Sequence, residues 1–224
     1  MVVGRAEAYK KGAFVGYYND RTFIISQKTL AKKIPHFKKA KRVESGGDIL
    51  ATSRGMEKKW LNQIDSKLTL LYENSFFDKG WQVFVIMRGG KRAFEPLLNG
   101  RPFLRIEFVS DSIDVVHVQA GGHLLPYKQP LILDDIYDSG KTAALACEAV
   151  RRMYKKVWPD QEFKITFATL LKREYRKDYD GFQIPLPKGV TLRYGARINT
   201  KKYIHFTWEN YYEEPKRFSR KSSF

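Results

Sequence analysis

The segment Leu131 to Ala143, LILDDIYDSGKTA, constrains the fold of this chain more than any other. An apolar strand ends in two adjacent carboxylates, Asp134 and Asp135, and a short polar turn leads into a helix. The turn's N–H groups and the positive end of the helix can bind one phosphate, and carboxylates suit sugar hydroxyls or Mg²⁺. The segment is not a P-loop, because that motif needs glycine five positions before Gly140, where Asp135 stands.

Apolar runs alternate with helical patterns on both sides of this segment. Strand-like runs cover 22–26, 81–87, 103–109, 131–133 and 165–171, and helical spacing covers 54–74 and 142–156. Buried strands that alternate with helices predict a parallel α/β sheet, whose ligands bind beyond the carboxyl ends of the strands. We therefore expect the site in the loops 88–92, 110–128, 134–142 and 172–182.

Composition excludes several classes of protein. One cysteine, Cys147, gives neither a disulfide framework nor a cysteine-based zinc site, and it lies on the apolar side of a predicted helix. The four histidines are scattered without metal-binding spacing. No apolar run approaches the length of about 20 residues that spans a bilayer, and the N-terminus does not resemble a signal peptide. We expect a cytoplasmic protein.

The charge is strongly positive. The chain has 41 Lys and Arg against 24 Asp and Glu, a formal net charge of +17. Residues 1–60 alone hold 14 basic and 5 acidic residues. Such an excess favours an anionic partner, which could be a phosphate group, a nucleic acid or an acidic surface.

The 131–143 segment resembles the signature with which type I phosphoribosyltransferases bind 5-phosphoribosyl-1-pyrophosphate (PRPP). The resemblance covers about residues 55–210 and implies a central parallel sheet flanked by helices, with a small hood lobe over the base. It implies that Asp134 and Asp135 hold the ribose and Mg²⁺. The residues that it implies for the 5′-phosphate are Asp138, Ser139, Gly140, Lys141 and Thr142. Tyr137 departs from the pattern, since an aliphatic residue is commoner there.

A second match lies between Val83 and Ala93, VFVIMRGGKRA. A strand that ends in Arg-Gly-Gly resembles the pyrophosphate-binding loop of the family. The resemblance implies that Arg88, Gly89, Gly90 and Lys91 meet the pyrophosphate.

The segment Ala168 to Pro185, ATLLKREYRKDYDGFQIP, resembles the base-binding part of the 6-oxopurine (hypoxanthine/xanthine-guanine) branch. There a lysine after the strand donates to the purine O6 atom, and an aromatic ring stacks on the base. The resemblance implies these roles for Lys172 and Phe182. A cation distinguishes a carbonyl from an amino group, and an aromatic face supports stacking.

The stretch 202–209, KYIHFTWE, is similar to the C-terminal stretch of xanthine/guanine-type members. Thr207 replaces the expected proline, and the acidic residue that reads the purine 2-position is not evident near Arg197. Tyr203 or Trp208 is an alternative to Phe182 as the stacking residue. The preferred base among hypoxanthine, guanine and xanthine stays open.

The resemblance implies transfer of the phosphoribosyl group from PRPP to a purine base, with Mg²⁺ as cofactor and Asp138 as general base near N7. The products are a nucleoside monophosphate and pyrophosphate, as in purine salvage. We expect a homo-oligomer, a dimer or tetramer. The family closes a mobile loop over the reaction centre, and 110–128 has the length of such a lid, with Gly121-Gly122 as its flexible tip.

The resemblance suggests a division into four parts. Residues 1–47 form a basic extension that packs on the hood or mediates self-association, and 48–171 form the PRPP-binding core. Residues 172–212 form the base-binding hood segment, and 213–224 form a tail that we expect to be mobile.

Two other functions stay open. A PRPP-binding regulator on the same fold that binds nucleic acid would account for basic clusters such as Lys32-Lys33 and Lys38 to Arg42, although no DNA-binding motif is clear. Alternatively, the acceptor is a different nucleobase, or a base within a larger molecule.

Overall fold

The computed structural model describes residues 17–42, 45–69, 80–87, 89–99, 101, 103–111, 115–123, 129–176 and 179–209. The strands are β1 (Tyr17–Ser26), β2 (Ile49–Ala51), β3 (Trp81–Ile86), β4 (Leu104–Asp111), β5 (Val115–His123), β6 (Gln129–Tyr137), β7 (Ile165–Arg173), β8 (Val190–Ile198) and β9 (Tyr203–His205). The helices are α1 (Gln27–Lys33), α2 (Arg54–Thr69), α3 (Gly90–Leu98) and α4 (Lys141–Val157), with a 3₁₀ turn at Phe37–Lys39.

A mixed sheet with the strand order β1-β5-β4-β3-β6-β7-β8 forms the centre of the fold. The neighbouring strands in the run β4-β3-β6-β7-β8 pair in parallel. Strand β5 pairs antiparallel with both β4 and β1. A second, small sheet pairs β2 with β9 in parallel. The predicted fold class, a central parallel sheet flanked by helices, is confirmed.

The parallel strands bury side chains on both faces because helices cover both. All six residues of β3 are buried, and alternate residues belong to different cores. Phe84 and Ile132 pack on the side of α4, whereas Val85 and Leu133 pack on the side of α2 and α3. The parallel pairing of β3, β6 and β7 brings their carboxyl ends to the same edge of the sheet.

Part of the basic N-terminal segment is built into this core. Leu30, Ile34 and Phe37 are buried in the core on the α4 side. Lys33 forms an ion pair with Glu148 of α4, with 3.1 Å between Nζ and Oε1.

Two loop predictions are wrong. The loop expected at 88–92 becomes helical at Gly90, because α3 buries Ala93, Phe94 and Leu98 against the sheet. The lid expected at 110–128 is largely strand: β5 runs through Gly121 and Gly122, which pair with Arg105 of β4 and Tyr18 of β1. Two ladders of backbone hydrogen bonds therefore hold the residues that were expected to form a flexible tip.

The predicted helix 54–74 is confirmed as far as Thr69, and residues 70–74 lie outside the described part of the chain. Residues 1–16 and the predicted tail 213–224 also lie outside it. No helix in the described ranges combines the length and the apolar character that crossing a membrane requires.

Candidate active site

A cleft of about 1030 Å³ lies at the carboxyl ends of β3, β6 and β7. The segment 203–209 and Arg42 from the N-terminal segment complete its walls. Ten residues predicted from the sequence line it: Gly89, Asp134, Asp135, Asp138, Ser139, Gly140, Lys141, Thr142, Tyr203 and Trp208. The cleft is large enough for a nucleotide-sized ligand.

Each of the two adjacent carboxylates of β6 accepts a hydrogen bond from the backbone N–H of the residue that follows it. The Asp135 N–H donates to Asp134 Oδ1 at 3.0 Å, and the Ile136 N–H donates to Asp135 Oδ1 at 2.7 Å. Burial raises the pKa of Asp134 well above its ordinary value, and the charge of Asp135 raises it further. Burial also raises the pKa of Asp135. Ionisation of the two buried carboxyl groups therefore lowers the stability of the ligand-free protein, and a bound cation would offset this loss.

Gly89 and Gly90 bring the start of α3 against this pair. A Cβ atom on Gly89 would collide with the Asp135 carboxylate, and one on Gly90 would collide with the Leu133 carbonyl. The two glycines are therefore required for the close approach of the start of α3 to β6 at the cleft. Arg88, which precedes them, lies outside the described residues.

Tyr137 ties the polar turn to the segment that follows β7. Its buried hydroxyl donates to the Ile184 carbonyl at 2.7 Å, and the Ile184 N–H donates to the Ser139 carbonyl at 2.9 Å. Burial raises the pKa of Tyr137 to about 12. Gly140 has φ +85°, and a Cβ there would lie 2.8 Å from the Tyr137 hydroxyl. Tyr137, which departs from the family pattern, therefore helps to hold the 138–140 turn against the segment after β7.

Asp138 is surrounded by donors and cations. Arg173 Nε lies 3.5 Å from Asp138 Oδ1, and the two side chains are only 4% and 11% exposed. The Tyr175 hydroxyl donates to the same oxygen at 2.6 Å, and Arg42 Nε lies 3.9 Å from Oδ2. Arg173 also donates to the Lys202 carbonyl at 3.1 Å. These contacts hold the carboxylate at the cleft wall.

Glu57 of α2 anchors the C-terminal wall. Its buried carboxylate accepts the Thr207 N–H at 2.7 Å and the Thr207 hydroxyl at 2.5 Å, and also the Thr52 hydroxyl. The hydroxyl of Thr207, which stands where the family has proline, therefore has a partner. Beyond it, the rings of Phe206 and Trp208 stack with centroids 4.6 Å apart, and Arg92 donates to the Trp208 carbonyl.

Four predicted residues in the described part of the chain do not line the cleft, and one of them, Gly90, is buried at the start of α3. Lys91 is exposed on α3. Lys172 Nζ lies 5.6 Å from the Tyr194 ring centroid, away from the cleft lining. Phe182 is 37% exposed, and its ring meets His36 edge-on at 5.6 Å.

Three arginines line the cleft that the sequence analysis did not predict: Arg42, Arg92 and Arg173. For Arg173 a signal existed. Successive side chains of a strand point to opposite faces, so Lys172 and Arg173 cannot both face the cleft. Arg92 directly follows the predicted pyrophosphate-binding residues, one position beyond Lys91. Arg42 had no local signal beyond its basic neighbours.

The carboxylate pair fits Mg²⁺. In the described part of the chain, His, Cys, Asp and Glu form no group of three or more that could hold a metal. Mg²⁺ is commonly held through one or two carboxylates, with substrate phosphates and water as its other ligands. Asp134 and Asp135 thus suit an ion that arrives with a phosphorylated substrate.

Comparison with known proteins supports the fold. No protein-family model and no curated protein matches the chain. Among solved structures, a purine phosphoribosyltransferase from Pyrococcus horikoshii matches with TM-score 0.50 and 19% identity, over 73% of this chain and 95% of that one. A protein from Neisseria gonorrhoeae with bound ppGpp matches with TM-score 0.50 and 15% identity, over 73% and 90%. The chain therefore has the type I phosphoribosyltransferase fold.

Proposed function

We propose that this chain transfers the 5-phosphoribosyl group from PRPP to a purine base (hypoxanthine, guanine or xanthine), with release of pyrophosphate. The observation that carries the proposal is the meeting of three features in one cleft. These are the carboxylate pair at the end of β6, the Gly140 turn at the start of α4, and the Gly89-Gly90 approach at the start of α3.

The donor half of the cleft would bind PRPP at three points. The N–H groups of residues 138–142, at the positive end of α4, would bind the 5′-phosphate. Asp134 and Asp135 would bind the ribose hydroxyls and would hold Mg²⁺, which when bound neutralises charge on the pyrophosphate. The backbone of Gly89 and the guanidinium of Arg92 would face the pyrophosphate, and the buried Gly90 would let the start of α3 lie close to β6. Direct contact by Arg88 and Lys91 stays a prediction.

The acceptor half would use Arg173 and Asp138. As the C1–pyrophosphate bond breaks, positive charge builds on the ribose, and the purine nitrogen forms the new bond to C1. Asp138 Oδ1 is taken by the Tyr175 hydroxyl and Arg173. The proton released by the base would therefore go to Oδ2, which faces the exposed Arg42 at 3.9 Å. Tyr203 or Trp208, which both line the cleft, would stack on the base.

Catalysis in this scheme is positioning and electrostatic stabilisation, not covalent chemistry by the protein. The hydrogen bonds that join the 138–140 turn to Gln183 and Ile184 support it, because they fix the two halves of the cleft relative to each other. Gln183 Nε2 donates to the Asp138 carbonyl at 2.5 Å and to the Arg173 carbonyl at 3.0 Å.

The test is a pyrophosphate-release assay with PRPP, Mg²⁺ and single bases. We expect turnover with at least one of hypoxanthine, guanine and xanthine. No turnover with these three or with adenine, uracil or orotate would refute the enzymatic proposal. The variant Asp134→Asn/Asp135→Asn should be inactive. The control Asp160→Asn, at an exposed turn after α4, should be as active as the wild type.

A further inference from the structure

A cluster of cations surrounds one tyrosine on β8, outside the cleft. Lys67 Nζ, Lys172 Nζ and Arg197 Cζ lie 5.0, 5.6 and 5.2 Å from the centroid of the Tyr194 ring. None of the four residues lines the cleft. We call these four residues the Tyr194 patch.

The fold builds this patch from three elements. Lys172 of β7 pairs in register with Arg197 of β8. Lys67 at the end of α2 donates to the Tyr194 carbonyl at 2.6 Å. Arg197 Nε donates to the Tyr194 hydroxyl at 2.5 Å. Because backbone and ring both hold the cations, they are gathered by the structure and do not merely follow one another in the sequence.

Among the described residues, the patch has three cations and one acidic residue, Glu174, that pairs with one of them. Arg197 pairs with Glu174 at 3.3 Å, and both side chains are well exposed, at 60% and 39%. An exposed ion pair of this kind contributes little to stability. Cations grouped around one ring repel one another over distances that salt screens only partly, since the Debye length is about 8 Å at physiological ionic strength. An anion bound at the patch would relieve this repulsion.

A second aromatic residue with a cation lies close to the patch in the sequence. Lys201 Nζ lies 5.2 Å from the ring centroid of Tyr179, in the segment that follows β7. Residues 172–202 hold nine Lys and Arg against three Asp and Glu. β8 is also the last strand in the sheet order, so the patch lies at a sheet edge.

We propose that the Tyr194 patch binds single-stranded nucleic acid. Cations that alternate with aromatic rings suit a single strand, since the cations meet phosphates and the rings meet unpaired bases. A duplex hides the faces of its bases and would use only the charges. The net charge of +17 supports such a partner. This binding is independent of the transferase activity proposed for the cleft, because the patch lies outside it.

The test is fluorescence anisotropy of a labelled 20-residue oligo(U) with the full chain, at 50 to 200 mM NaCl. The variant Lys67→Gln/Arg197→Gln should bind several-fold more weakly than the wild type. Its salt dependence should be flatter, with the log–log slope reduced by about 1.4, since each single-strand phosphate contact contributes about 0.7. The matched control Lys155→Gln/Lys156→Gln removes the same charge from the exposed end of α4 and should bind like the wild type.

Four outcomes would overturn the proposal. The first is no binding by the wild-type protein at 50 mM salt. The second is an equal loss in the patch variant and the control, which would indicate a general charge effect. The third is a 20-base-pair duplex that binds as tightly as the single strand. The fourth is inorganic polyphosphate that competes as well as oligo(U) at equal phosphate concentration, since the bases would then contribute nothing. Far-UV circular dichroism and thermal melting establish that both variants are folded.

Discussion

Replacement of Arg173 by glutamine tests the central polar contact of the cleft. The change removes the guanidinium that lies 3.5 Å from Asp138 Oδ1 and leaves the carboxylate, which is 11% exposed, without its buried cation. Tyr175 and the exposed Arg42 still contact this carboxylate. We expect the protein to fold but to be clearly less stable, and to lose affinity for the acceptor base.

The distance between the two charges determines the expected loss of folding stability. Two unit charges 3.5 Å apart attract by about 5 kcal/mol at an effective dielectric constant of about 20. Removal of one partner from a buried pair costs about 3–5 kcal/mol, because the other charge stays buried. The contacts from Tyr175 and Arg42 place our expectation at the lower end, about 3 kcal/mol. With a urea m value of about 2 kcal/mol/M, the unfolding midpoint should fall by about 1.5 M.

The neighbouring lysine provides a matched control. Lys172→Gln removes the same charge from the preceding residue of β7, whose side chain lies against Tyr194. Its free energy of unfolding should change by less than about 0.5 kcal/mol. In the pyrophosphate-release assay, the KM for the base should rise in Arg173→Gln and stay within about twofold of wild type in Lys172→Gln. A larger rise in Lys172→Gln would instead support the prediction from the sequence that Lys172 contacts the purine O6 atom.

A double-mutant cycle completes the test. Asp138→Asn leaves Arg173 buried without its anion, whereas Asp138→Asn with Arg173→Gln leaves two neutral amides. The double variant should therefore lose about 2 kcal/mol less than the sum of the single variants. Additive losses, or an Arg173→Gln protein within about 1 kcal/mol of wild type, would show that the pair does not hold the cleft together.

Three further changes have expected outcomes. Burial raises the pKa of Asp134, so ionisation of this carboxyl group destabilises the ligand-free protein as the pH rises from about 4 towards neutrality. Asp134→Asn removes this charge and should raise the Tm at pH 7.5 by about 2–4 °C, which corresponds to about 1 kcal/mol of stability. The same variant should have no turnover. Gly89→Ala would drive a methyl group into the adjacent carboxylate and should weaken PRPP binding at least tenfold in calorimetry, whereas Gly55→Ala, whose Cβ meets nothing closer than 3.9 Å, should not. Tyr137→Phe leaves the Ile184 carbonyl without its buried donor and should cost about 1–3 kcal/mol in urea unfolding.

Three of the strands that the sequence predicts are covered by helices on both faces. Strands β3, β6 and β7 show as continuous apolar runs, because helices pack on either side of them. β8 carries Thr191, Arg193 and Arg197, since it lies at the sheet edge and buries few side chains, so no apolar run marks it. Because α3 is only nine residues long and contains Pro96, its sequence shows no clear helical spacing of apolar residues.

The donor half of the cleft is predictable for a different reason. Asp134, Asp135 and the turn that follows are adjacent in the sequence, so their geometry depends on one strand, one turn and one helix. The acceptor half joins distant segments. Arg42 comes near Asp138 only through the packing of the N-terminal segment on α4 and on the segment after β7. No local pattern of charge or hydrophobicity predicts this contact between Arg42 and Asp138.

This difference suggests which part of the molecule selects the acceptor. Lys41 and Phe182 exchange two backbone hydrogen bonds, at 3.0 and 2.8 Å, so the N-terminal segment and the segment after β7 form one wall. β2 pairs with β9 and so joins the residues before α2 to the opposite wall. Both walls are held by contacts outside the motif that would bind PRPP. Changes in these walls can therefore alter the preferred base while the β6–α4 turn stays intact, and variants of Arg42 should shift base preference more than PRPP affinity.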